Sequence, residues 1–169
     1  MEPRPRFLAD AMLGDIARWL RILGEDCLYA DPAWSDEEVR KAARPEDRII
    51  VTRDTELVNA ARREALRAIE VPQAPTEEVL EEVYRGTGLL PDPERMTTRC
   101  SLCNGRLEKT DEVGARKAAD IVRPETPLER VFARHDTFWV CIACGQLYWR
   151  GTHWDEIARV RQRLEERLR

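Results

Sequence analysis

The sequence predicts an α/β fold: a parallel sheet flanked by helices over residues 1–90, then a small four-cysteine module with a C-terminal helix over 91–169. Three observations predict it. Short apolar runs of strand length alternate with amphipathic stretches of helical period through the first half. Such alternation implies right-handed crossovers and a parallel sheet covered on both faces. Four of the five cysteines then fall into two pairs with the same gap, Cys100-Ser-Leu-Cys103 and Cys141-Ile-Ala-Cys144. Between the halves, Gly86-Thr-Gly88 and the Pro91-Asp-Pro93 turn punctuate the chain.

Residues 6–10 read as a short buried strand that ends on the carboxylate of Asp10. Residues 12–23 follow as a helix, with Met12, Ile16, Trp19, Leu20 and Leu23 on one stripe and Gly24 as the stop. Residues 27–30 form the second strand. Ser35 and Glu38 stand at the spacing of a capping box, so a helix starts there. Residues 48–52 are the clearest strand, 55–67 are helical by pattern, 68–71 form a fourth strand and 76–84 a further helix. Beyond the boundary come the cysteine pairs, a polar insert over residues 108–130 and short aromatic strands such as 137–140. Residues 154–169 read as a charged amphipathic helix.

A two-residue gap lets both thiolates of a pair reach one ion from a tight turn. Cys100, Cys103, Cys141 and Cys144 are therefore expected to hold a structural Zn²⁺ in a closed tetrahedron, with no position left for water. Cys27, inside a strand, reads as a small core residue.

The composition, 36% charged and 43% apolar, is that of a globular protein, and no apolar run approaches the ~20 residues that span a membrane. The charges of Met1-Glu-Pro-Arg-Pro-Arg6 have no apolar core behind them, so a signal peptide is not expected and a cytoplasmic location is. The net charge of −4 hides a split: residues 1–90 carry 13 basic against 19 acidic side chains, and residues 91–169 carry 15 against 13. An acidic half joined to a mildly basic one suits a metal-dependent catalyst beside a substrate-holding module, or two solvated charged faces. No Gly-x-Gly-x-x-Gly, Walker A or Gly-x-Ser-x-Gly pattern is present, and the two histidines, His135 and His153, both lie in the second half. Dinucleotide, P-loop and serine-hydrolase chemistries are thereby disfavoured.

Parallel sheets carry their sites beyond the carboxyl ends of the strands. Asp10 follows the first strand, Asp54 the third, and Asp36 and Glu37 start the helix after the second. Carboxylates from three segments are thus expected on one rim. Clustered charges of one sign are costly unless a cation joins them, and Mg²⁺ or Mn²⁺ suits all-oxygen ligands. Such an ion can activate water and stabilise charge on a phosphodiester, which implies phosphodiester hydrolysis. Asp10, Asp36 and Asp54 also stand where acidic side chains cap helix N-termini, and that reading stands beside the first.

Phe7-Leu-Ala-Asp10-Ala-Met-Leu-Gly14, Ala17-Arg-Trp-Leu-Arg-Ile-Leu-Gly24, Ser35-Asp-Glu-Glu38 and Val51-Thr-Arg-Asp54 together resemble the PIN-like nuclease family known as the mut-seven C-terminal RNase domain. Arg99-Cys-Ser-Leu-Cys-Asn104, Cys141-Ile-Ala-Cys-Gly145 and Tyr148-Trp-Arg-Gly-Thr-His-Trp154 look like the zinc ribbon that accompanies it. The resemblance spans roughly residues 6–165. It implies a PIN-like sheet and a metal-dependent ribonuclease with Asp10, Asp36 and Asp54 as catalytic ligands of Mg²⁺ or Mn²⁺ and RNA as substrate. Glu37, Glu56 and Asp15 are candidates for a fourth acidic residue.

The aromatics Phe138, Trp139, Tyr148, Trp149 and Trp154 read mainly as packing for a small core, or as platforms for unpaired bases. Arg99, Arg106, Arg116, Lys117, Arg123 and Arg150 are candidate phosphate contacts, and His153 a residue that caps, packs or meets a phosphate. The rival to the enzyme is a non-catalytic RNA- or protein-binding module built on the zinc ribbon.

Overall fold

In the computed structural model, which describes residues 4–122 and 128–169, the first half is a four-stranded sheet. Strands β1 (Phe7–Ala9), β2 (Cys27–Tyr29), β3 (Ile49–Thr52) and β4 (Ala68–Glu70) all run parallel, in the order β2-β1-β3-β4. Side chains alternate across the sheet. Phe7, Ala9, Ile49 and Val51 enter one core with helices α1 (Gly14–Ile22) and α4 (Thr76–Thr87), while Leu8 and Ile50 enter a second with α2 (Asp36–Ala43) and α3 (Thr55–Arg63). The three residues of β1 and the four of β3 are fully buried, as the strands of a sheet covered on both faces must be.

Most element boundaries fall within a few residues of the sequence reading. The α1 stripe is preceded by a 3-10 turn at Ala11–Leu13, capped by Asp10. Helix α3 stops at Arg63, shorter than expected, because Ala65 takes a left-handed backbone with φ 58° and turns the chain into β4. Gly24 also has positive φ, and a Cβ there would sit 2.2 Å from the carbonyl oxygen of Arg95, so the chain linking the two halves closes directly over it.

The second half is an antiparallel sheet, β5 (Leu107–Thr110), β6 (Phe138–Cys141) and β7 (Leu147–Trp149), in that order. The segment read as a polar insert contains β5, α5 (Glu112–Val122) and the start of α6 (Glu129–Phe132). Ala115 and Ala119 of α5 pack with Leu128, Phe132, Phe138 and Leu147 into a third core. An alanine face gives little periodic signal, which is why composition alone made this stretch look polar.

Helix α7 (His153–Leu168), grouped with the second half by sequence, sends Val160 and Leu164 into the core of the first sheet beside α4. Arg163 fastens it there with two hydrogen bonds to Glu77, of 3.0 and 2.5 Å. No helix among the described residues is long and apolar enough to cross a membrane.

Candidate active site and metal centre

The strand order reverses direction between β1 and β3, so the crevice beyond their carboxyl ends is the natural site of the sheet. Asp10 and Asp54 lie there, both half-buried, one just past each strand. They are joined through Thr52, which is fully buried. The Thr52 hydroxyl donates to Asp10 Oδ2 at 2.8 Å and accepts the backbone N–H of Asp54 at 3.0 Å. The backbone N–H of Asp10 in turn donates to the Val51 carbonyl at 2.9 Å. Thr52 stood inside the quoted motif without a role; a hydroxyl two residues before a strand-end aspartate was the signal for one.

The capping role is real. Asp10 Oδ1 accepts the N–H of Ala11 at 2.6 Å, and Asp54 Oδ1 accepts those of Glu56 and Leu57 at 2.7 and 3.3 Å. These bonds hold both carboxylates in fixed orientations. Among the described residues, Asp54 Oδ2 has no hydrogen-bond partner and remains open to a ligand. Asp36 is exposed at the start of α2, where Ser35 and Glu38 form the capping box, so its own side chain is not used for the cap. Of the fourth-ligand candidates, Glu37 ion-pairs with Lys41 at 2.6 Å, which lowers its pKa through that hydrogen bond and charge.

Among the described residues, the group of His, Cys, Asp or Glu side chains close enough to hold a metal is the four cysteines, and Asp10, Asp36 and Asp54 form no such group. The donor set at the rim still fits Mg²⁺ or Mn²⁺. Mg²⁺ keeps several waters and commonly takes one or two carboxylates plus substrate phosphate, so Asp10 with Asp54 is a sufficient protein share. Tyr29 also closes on this rim, its hydroxyl donating to the Ala11 carbonyl at 2.5 Å, and Arg53 leaves its buried Nε without a partner beside Asp54.

The cysteine cluster is complete. The Sγ atoms of Cys100, Cys103, Cys141 and Cys144 all lie within 4.8 Å of one another, with Cys100 to Cys144 at 3.7 Å and Cys103 to Cys141 at 3.4 Å. Zn–S bonds of about 2.3 Å in a tetrahedron put sulfurs roughly 3.8 Å apart, so the set fits Zn²⁺. The two knuckles close alike. Asn104 and Gly145, each just after a pair, take positive φ and donate N–H to the Cys100 and Cys141 carbonyls at 3.0 and 2.9 Å.

Ionisation of the thiols is uneven. Burial opposes the Cys100 thiolate, but hydrogen bonds from Tyr148 and from backbone N–H groups outweigh it and bring the thiol down to about 7. Burial, together with hydrogen bonds to the other sulfurs, pushes Cys103 up to about 12. Four adjacent sulfurs cannot all be thiolates without a cation among them, and a divalent ion supplies that charge. Cys27 sits apart, fully buried and pushed up to about 12 by burial, as an inert core residue.

The first knuckle is docked on the open edge of β2. Asn104 Oδ1 accepts the Cys27 N–H at 2.9 Å, and buried Arg21 donates to the Cys27 and Leu102 carbonyls at 2.7 and 2.8 Å. The outward N–H and carbonyl of Cys27 are thereby paired, which covers the start of the edge strand.

The basic candidates separate by partner. Arg99 pairs with Asp26 at 3.0 Å, and Arg116 pairs with Glu112 and Glu129, each at 2.8 Å. The Arg150 guanidinium lies over the rings of Trp139 and Trp154. Arg123 lies outside the described residues. Phe138 is a core residue in contact with Phe132, and Tyr148 is tied to Cys100 and Ser101. His153 is exposed and takes no part in the cysteine cluster.

A family model described as the Mut7-C RNAse domain matches residues 5–161, nearly the whole chain. No curated protein matches it.

Proposed function

The chain belongs to the Mut7-C RNAse domain family, and from that premise we propose that it hydrolyses RNA phosphodiester bonds with a divalent ion held by Asp10 and Asp54, with Asp36, exposed at the start of α2, as a further candidate ligand. The observation that carries this reading is the pair of aspartates at the switch point, where the Thr52 hydroxyl ties the Asp10 carboxylate to the Asp54 backbone. Backbone and hydroxyl donors fix Asp10, so its orientation is set before substrate arrives. Asp54 keeps Oδ2 without a hydrogen-bond partner among the described residues, while Oδ1 caps the helix. Bound Mg²⁺ or Mn²⁺ supplies an activated water and offsets charge on the phosphoryl oxygens.

The four cysteines hold structural Zn²⁺ and take no part in the reaction, since four thiolates leave no open position. The division into a nuclease domain, 1–90, and a ribbon with its C-terminal helix, 91–169, belongs to the same proposal, with α7 packed back on the first sheet.

The test compares cleavage of a labelled single-stranded RNA by wild type with Mn²⁺, by wild type with EDTA and by Asp54→Asn. Cleavage in the first alone, lost by orders of magnitude in the others, is expected. Equal cleavage by a folded Asp54→Asn protein sinks the site. The capping bonds of Asp10 and Asp54 favour a second reading, a non-catalytic binding module. That reading predicts RNA binding with no metal-dependent turnover in any of the three.

A further inference from the structure

A cavity of about 740 Å³ lies by the amino ends of β3 and β4, and three of its four lining arginines are committed. Arg4 pairs with Glu25, Arg6 with Glu46 and Arg67 with Asp47. A smaller groove, about 320 Å³, is different in kind. It runs between α1, the ribbon sheet and the start of α7, and is lined by Arg18, Trp139, Tyr148, Trp149, His153 and Trp154 among others. None of its lining residues is acidic.

At its margin the Arg150 guanidinium lies 4.8 Å from the Trp154 ring centroid and 5.4 Å from that of Trp139. Arg18 and Arg150 are both exposed and form no ion pair among the described residues, although Asp136 lines a small neighbouring cavity with Arg150. Indole walls in a groove whose lining has no acidic residue, with Arg18 on it and Arg150 at its margin, complement a flat aromatic ring attached to an anion. Its volume is that of a small-ligand site, too small for a duplex.

We propose that this groove binds one unpaired nucleotide of single-stranded RNA, its base against the indole walls and its flanking phosphates on Arg18 and Arg150. The proposal rests on the ribonuclease reading for its choice of RNA. Stacking on aromatic side chains is open only to a base that is not paired, and arginine supplies the planar donors a phosphate needs. Helix α1 joins the two sites. Its first residue, Gly14, stands next to the Asp10 turn, and Arg18 and Ile22 line the groove, so from Gly14 to Ile22 the helix advances about 12 Å. A strand seated in the groove has α1 as its track to the acidic rim.

The test is fluorescence anisotropy with a labelled eight-nucleotide oligouridylate and an RNA duplex of the same length, using zinc-loaded full-length protein without added Mg²⁺ or Mn²⁺. Trp154→Ala and Arg18→Ala should each weaken the oligouridylate by about tenfold. Trp154→Phe, which keeps a stacking ring, should restore most of the loss. Arg62→Ala, an exposed cation of the other cavity, should change little. Arg18 is exposed, so its variant tests the groove even where Trp154→Ala impairs folding. Wild-type affinity in Arg18→Ala and in a folded Trp154→Ala, or duplex binding as tight as single-strand binding, overturns the proposal. Wild type that binds the oligomer through the groove but does not cleave with Mn²⁺ breaks the ribonuclease reading and leaves the groove standing. Mn²⁺-dependent cleavage with groove variants that bind normally does the reverse.

Discussion

In the ribbon half, four sulfurs lie within 4.8 Å of one another, whereas the three aspartates of the sheet half form no comparable group among the described residues. The difference follows from how each ligand is held. Each cysteine pair is set by its own knuckle, closed by a left-handed residue and one backbone hydrogen bond, so the cluster is as local as two turns and the pairing of β5 with β6. Asp10 and Asp54 instead spend oxygens on backbone N–H groups at helix starts. They are aimed but not closed. A structural site is finished by its protein ligands, whereas a hydrolytic site must leave positions for water and phosphate.

The widest separation between the two regions should appear on removing zinc. Stripping the ion with a strong chelator, or Cys141→Ser, should unfold the ribbon, because apparent zinc affinities of about 10–16 kcal/mol are folding free energy in such modules. Circular dichroism melts and a one-to-one zinc content by elemental analysis check this. A melt indifferent to chelation would mean that the cluster is held by packing alone.

Asp54 separates the two roles of the rim. Asparagine at this position caps nearly as well as aspartate, so Asp54→Asn should hold stability within a few tenths of a kcal/mol, whereas Asp54→Ala should cost about 1 kcal/mol. Cleavage should fall by orders of magnitude in both. If activity instead tracks stability, retained in Asn and reduced in Ala, then Asp54 is a cap and nothing more.

Much of this was legible in the chain. The strand and helix alternation placed Asp10 and Asp54 at the ends of β1 and β3, and the cysteine spacing placed the cluster, because both are short-range patterns. What was not legible depends on distant packing. Helix α5 hid behind an alanine face whose partner, Phe138, lies across the module. The destination of α7 could not be read from its own amphipathic stripe, since Val160 and Leu164 meet a core built from the first half. The aromatics divided into core, cluster support and groove only once β6, β7 and α1 stood side by side.

The smallest of these effects tests the joint between the two regions, which converges on Asp26. Its Oδ1 accepts from Arg48 at 2.7 Å and from Asn104 Nδ2 at 2.8 Å, and its Oδ2 accepts from Arg99 at 3.0 Å. Asn104 and Arg99 flank the first cysteine pair, so this one carboxylate ties the knuckle to the base of β2. Burial opposes its charge, but the hydrogen bonds and the two guanidinium groups win and hold its pKa below the usual 3.8. A group whose folded pKa is depressed contributes stability above its unfolded value and loses it as pH falls through the folded one. The joint should therefore be fully effective at neutral pH and weaken only below about 3.8. Asp26→Ala, which leaves three donors without their acceptor, should cost about 1.5–3 kcal/mol. Asp26→Asn should cost less and flatten the acid limb of stability between pH 2 and 5, measured by urea melts across that range. Should the variant and wild type keep the same acid limb, the halves are held together elsewhere. The edge bonds of Arg21 and Asn104 to β2 would then be the joint that matters.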